Sequence, residues 1–154
     1  MKADKDIITL LQDQYTIEVY SSLQYMDQAA AVQKKGFDKL AQVLFAESAE
    51  EREHAEKISK RLYYFESNPG TLKVIVPPAS EEVHQIFQDV LDLEKRTQEH
   101  LQECITTAEA AQDYISRDLF VELLKPTEDQ IYAMEAQLKL KDILGVQNWL
   151  QTWV

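Results

Sequence analysis

The chain has little of what a sheet, a disulfide scaffold or a nucleic-acid binder needs. Three Gly and four Pro in 154 residues are too few for the many turns of a β-rich protein. The single Cys, Cys104, cannot close an intrachain disulfide. No stretch approaches the roughly eighteen apolar residues that a membrane span requires. The N-terminal Met1-Lys2-Ala3-Asp4-Lys5-Asp6 holds no apolar signal region, so a reducing cytoplasm is the expected location. Cationic residues are scarce as well: 16 Lys and Arg face 27 Asp and Glu, giving a net charge of −11. That balance argues against grasping a nucleic-acid backbone and is compatible with attracting cations.

What is present favours long helices. A hydrophobic share of 45% excludes a disordered chain, and Leu, Ala, Glu, Gln and Lys dominate. An all-α fold in one domain over residues 1–154 is expected, with a core of its own. A first helix spans about residues 6–34, with Ile8, Leu11, Tyr15, Val19, Ser22, Tyr25, Met26 and Ala29 at helical spacing and Gly36 as its stop. A second, about 38–65, carries Leu40, Leu44, Glu47, Glu51, His54, Ile58 and Leu62 on one face. Residues 66–80, with Val74-Ile75-Val76 and Pro77-Pro78, read as a helix-poor crossover along a bundle. A third helix, about 81–108, turns Val83, Phe87, Val90, Glu94, Thr97, Leu101, Cys104 and Ala108 inward. A fourth, about 112–144, does so with Ser116, Phe120, Leu123, Thr127, Gln130, Met134 and Leu138. Gly145 stops it, and residues 146–153 form a short apolar tail with Trp149 and Trp153, expected to pack on a neighbouring helix or another subunit.

Acids interrupt these apolar faces at a few positions, and a carboxylate in a core needs a partner, a proton or a metal. Glu18 is one and Glu94 another; between them Glu51 and His54 stand three residues apart, one helical turn, and can grip one ion. Glu18 precedes Glu51 by 33 residues and His54 by 36, and adding the 76 residues that separate Glu18 from Glu94 lands on Thr127 and Gln130. The two halves are therefore hairpins of similar build. In di-iron bundles two helices each supply a Glu and the other two each supply a Glu-x-x-His. The first half has that set, with Glu18 and His54 as terminal ligands; Glu51 and Glu94 would bridge two irons. The second half has Thr-x-x-Gln, whose neutral oxygens predict a much weaker site. Tyr25 reads as core packing with a satisfied hydroxyl, or as a redox neighbour of the metals. His84 and His100 are expected at the surface, and Cys104 in the core.

The sequence resembles the ferritin superfamily, and bacterioferritins most closely. The resemblance is carried by Glu18 with Gln24-Tyr25, Glu47-Ser48 through Glu51 and His54, Leu93-Glu94, Tyr114-Ile115-Ser116-Arg117-Asp118 with Glu122-Leu123-Leu124, and the tail from Leu144-Gly145 to Gln151. It implies a four-helix bundle with a short fifth helix, assembled as a 24-subunit shell that stores ferric mineral. Ferrous iron would be oxidised at an intrasubunit di-iron centre, and Asn148 and Gln151 match residues lining a four-fold channel. Two departures qualify it. Arg52 stands where the family has a haem-ligating Met, so no haem is expected. Thr127 and Gln130 stand where it has Glu and His. Pro126 should bend the fourth helix there, which could turn Glu128 or Asp129 inward as a replacement ligand. Glu47 and Glu50 could face the cavity and relay iron. The expectation is an iron-storage subunit with an incomplete ferroxidase centre. It would form a homo-oligomer or co-assemble with a ferroxidase- or haem-competent second subunit. The rivals are a non-storage di-iron oxidoreductase on the same bundle and a shell protein without a working metal site.

Overall fold

A computed structural model describes residues 4–154; Met1, Lys2 and Ala3 of the N-terminal segment read for a signal lie outside the described residues. Five helices follow one another: α1 (Lys5–Lys34), α2 (Asp38–Tyr64), α3 (Val83–Ala110), α4 (Tyr114–Leu144) and α5 (Val146–Gln151). Among the described residues no helix is long and apolar enough to cross a membrane.

Each boundary has a local cause. Asp4 caps α1 by accepting from the Asp6 amide at 2.7 Å. Gly36, at φ 94°, closes its end, while the Phe37 amide reaches back to the Val32 carbonyl at 3.0 Å. The same six-residue closure ends α2 and α3 without glycine. Glu66 and Gln112 take positive φ of 58° and 59°, and the amides of Ser67 and Asp113 bond the carbonyls of Leu62 and Ala108, both at 3.0 Å. α3 starts two residues later than the sequence suggests, because Glu82 is still extended. Pro126 lies inside α4, and the helix runs through it.

α1 pairs with α2 and α3 with α4 as antiparallel hairpins, and a long crossover joins them. The crossover lies along α1: Gln12 donates to the Asn68 carbonyl at 2.9 Å, and the Ala79 amide donates to Asp27 at 2.8 Å. Those anchors are 15 residues apart on α1, about 22 Å of helix axis at the usual rise. α3 therefore begins beside the later half of α1 and runs back along it, which brings Tyr25 opposite Glu94 and Gln14 opposite His100.

Two apolar cores result. One gathers Ile7, Leu11, Ile58, Leu62, Leu101, Phe120 and Leu123. The other gathers Tyr25, Val32, Leu40, Leu44, Ile86, Phe87, Val90 and Met134. α5 covers the second: Trp149 is fully buried, stacks edge-on against Phe87 at 4.9 Å and donates its indole N–H to Gln137 at 3.0 Å. Trp153 packs on the same Phe87 at 5.5 Å. The tail thus seals its own bundle.

The inward face of α1 differs from the sequence reading. Ile8, Tyr15, Val19 and Ser22 are only half-buried and Met26 is exposed, whereas Ile7, Leu10, Gln14, Ser21, Gln24 and Gln28 are buried. Gln side chains on the inner face disguised it, since a helix is read from its apolar residues.

Gln112→Gly should stabilise the protein. Relief of the left-handed backbone exceeds the flexibility glycine adds to the unfolded chain by about 0.5–1 kcal/mol. A thermal melt should show a gain of a few degrees; a lower melting temperature would contradict the assigned strain.

Candidate metal centre

Between the two cores lies a layer of buried polar side chains: Gln14, Glu18, Glu51, His54, Glu94, Thr97, Thr127 and Gln130. All four long helices contribute. Among the described residues no Lys or Arg is buried, so the three acids have no lysine or arginine partner within the core, and His54 is the one basic side chain buried among them.

Glu18, Glu51 and His54 converge. Each offers one ligand atom, and the three atoms lie within 4.8 Å of one another. His54 Nδ1 is 3.5 Å from Glu18 Oε2 and 3.8 Å from Glu51 Oε1, while its Nε2 faces Glu50 Oε1 at 3.7 Å. These separations are too long for good hydrogen bonds and suit ligands spaced around a shared cation. Glu18 Oε1 accepts from Gln14 at 2.9 Å; Glu18 Oε2 is buried without a hydrogen-bond donor. Its neighbouring carboxyl is Glu51, and two such groups can approach only by sharing a proton or a cation. Carboxylate oxygens with one imidazole match the donor set that ferrous and ferric iron prefer.

Glu94 enters from α3 and accepts the Tyr25 hydroxyl proton at 2.7 Å. Tyr25 in turn accepts from Gln130 at 3.3 Å. The Tyr25 hydroxyl is therefore satisfied, as the core reading of that residue expects. The Thr127 hydroxyl donates to the Leu123 carbonyl at 3.0 Å, one turn back on its own helix. Thr127 and Gln130 thus lie in the polar layer, each donating one hydrogen bond within the protein.

The remaining candidates lie outside that layer. Glu47 is half-buried and Glu50 more open, both on α2 beside His54. Glu128 is exposed and accepts from Gln98 at 2.9 Å, and Asp129 pairs with Lys125 at 2.8 Å. Because α4 continues through Pro126, neither is turned inward, which corrects the expected replacement ligand. Arg52 is exposed on a groove of about 600 Å³ whose lining includes Tyr15, Val19, Leu23 and Ala55 but no Met, His or Cys. The thioether that ligates haem in the family is thus missing from this groove. Asn148 and Gln151 are exposed on α5, and Asn148 donates to the Leu144 carbonyl at 3.1 Å.

His100 is a correction. It is half-buried rather than superficial, with Nδ1 2.6 Å from Gln14 Oε1. Gln14, overlooked in the sequence, stands one helical turn before Glu18, and that spacing was the available signal.

Burial dominates the electrostatics. It raises the pKa of Glu18 and Glu51 above the ordinary carboxylate range, and their closeness raises that of Glu51 further. Glu94 is pushed up to about 8, by burial first and by the Glu51 charge second. Glu47 is pushed up to about 7 by burial and then by Glu50. Burial likewise holds the Tyr25 hydroxyl well above its usual value.

The sequence profile of the family described as Ferritin-like domain matches residues 8–143. The chain is 30% identical to a bacterioferritin of Streptomyces coelicolor over 152 residues, covering 99% of this chain and 91% of that protein. It is 30% identical to a bacterial ferritin of Synechocystis sp. over 153 residues, 99% of this chain and 98% of the other. A bacterial ferritin of Pseudomonas aeruginosa is 29% identical over 155 residues, covering the whole of both.

Because the folded protein holds protons that the unfolded chain releases near pH 4.5, stability without metal should fall as pH rises from 5 to 8. Added divalent cation replaces those protons and should flatten the decline. Melting temperatures across that range test this; a metal-free protein that gains stability over the range would contradict it.

Proposed function

The chain belongs to the ferritin-like domain family, and on that premise we propose that it is an iron-storage and detoxification subunit of a 24-subunit ferritin-like cage. One observation carries the reading: Glu18, Glu51 and His54 converge at mid-bundle with Glu94 in the same buried layer, and among the described residues no Lys or Arg is buried to balance them. Glu18, Glu51, His54 and Glu94 are the proposed iron ligands, and ferrous iron is the substrate, giving up an electron to oxygen or peroxide there. The protein's part is to present anionic oxygens and one imidazole in a site enclosed by two apolar cores. Glu47 and Glu50, beside His54 and more open, are the proposed approach for iron.

The centre is proposed to be incomplete, and its ferroxidase activity weak or altered. Thr127 and Gln130 are neutral, and their hydrogens engage the Leu123 carbonyl and Tyr25. No haem is assigned, on the chemistry of the Arg52 groove. The same neutral pair favours a second reading, in which this subunit co-assembles in the cytoplasm with a partner that has a complete centre or a haem. A single ferritin-like domain over residues 1–154 suffices for either. In the proposed cage, Asn148 and Gln151, both exposed on α5, are the proposed channel residues.

Anaerobic ferrous titration of the purified protein tests the incomplete centre. About one tight iron per subunit is expected, because neutral oxygens bind a hard cation far more weakly than carboxylates. About two would sink the idea. The double variant Thr127→Glu/Gln130→His should raise the count to about two and speed ferrous oxidation, since it supplies the missing carboxylate and imidazole.

A further inference from the structure

We propose that Gln14 and His100 are positioning residues for Glu18: together they tie down one oxygen of its carboxylate so that the other is presented alone to the metal. The inference rests on the reading of Glu18 as an iron ligand and adds which residues set its geometry.

Gln14 is fully buried on α1, one turn before Glu18. Its Nε2 donates to Glu18 Oε1 at 2.9 Å, and its Oε1 contacts His100 Nδ1, on α3, at 2.6 Å. With Glu18 ionised, as a metal ligand is, the direction of this chain is forced. An ionised carboxylate only accepts, so the amide nitrogen must face it; the amide oxygen also only accepts, so the proton between Gln14 and the ring belongs to His100 Nδ1. The imidazole is thereby held in one tautomer. Its other nitrogen, Nε2, carries the lone pair and is buried without a partner. Cys104 Sγ lies 3.5 Å from the same Nδ1, one turn along α3. Burial disfavours the charged ring, against the opposite pull of Asp13 and Glu103, which keeps the ring suited to donating through Nδ1 alone.

The consequence falls on Glu18. Its Oε1 is occupied, and its Oε2 is left without a donor, 3.5 Å from His54 Nδ1. A metal held by His54 and Glu51 therefore meets one free oxygen of Glu18, not two. Hydrogen bonds to a ligating carboxylate commonly set its orientation and its affinity for the ion. Here the control crosses from α3 to α1, so the packing of the second hairpin fixes a ligand of the first.

Co²⁺ is the probe, titrated into the metal-free, full-length protein in its native assembly. Its visible ligand-field spectrum reports coordination number, and the titration reports affinity. Gln14→Leu should free Glu18 to swing or to chelate through both oxygens, changing the spectrum and weakening binding about tenfold. His100→Leu should move both readouts the same way, whereas His100→Gln, which can still donate to Gln14, should retain the wild-type spectrum. Unchanged spectrum and affinity in Gln14→Leu would overturn the proposal, whatever its melting temperature, since a purely structural role would alter stability alone. Should Gln14→Leu not fold, the His100 pair decides, and identical spectra of the two would overturn it. Wild-type protein that takes up no Co²⁺ would instead overturn the metal centre itself.

Discussion

The structure depends on keeping three carboxylates inside a helical bundle in which, among the described residues, no Lys or Arg is buried. Removing an ion from water costs several kcal/mol even after a protein relaxes around it. Glu18, Glu51 and Glu94 cannot all be charged at mid-bundle unless something positive enters. Burial raises the pKa of every one of these acids, so without metal the layer holds protons. The two apolar cores on either side supply the stability that lets the layer persist, and α5, with Trp149 and Trp153 on Phe87, closes one of them.

The hairpins share a plan and differ in chemistry. α1 and α2 bring together an acid pair and an imidazole; α3 and α4 bring Glu94, Thr127 and Gln130. Gln130 and Glu94 of the second hairpin are joined by a hydrogen-bonded row through Tyr25 of α1, where the first hairpin has acids in contact. Such a row is satisfied without an ion, and the acid cluster is not. On the proposed reading this asymmetry separates a subunit that binds iron from one that carries out the full two-iron reaction.

The four interior ligand candidates were legible because a charged residue in an apolar stripe is a local anomaly that needs no knowledge of the fold. The helix ends at Gly36 and Gly145 were legible for a similar reason. The rotation of α1 was not, because Gln14, Gln24 and Gln28 are buried amides that look like surface residues in sequence. Nor was His100, whose place is set by the crossover that swings α3 back along α1. The outward orientation of Glu128 follows from α4 continuing past Pro126, a balance between one lost hydrogen bond and the packing of a long helix. Local chemistry could thus be read from spacing, but contacts between hairpins depended on a long connection whose path spacing does not encode.

The central claim is that a cation belongs between Glu18, Glu51 and His54. Crystals soaked anaerobically in ferrous salt, with data collected at the iron absorption edge, test it most directly. The account predicts an anomalous peak within coordination distance of those three side chains. A peak confined to Glu47 and Glu50, or no peak in the polar layer, would contradict it.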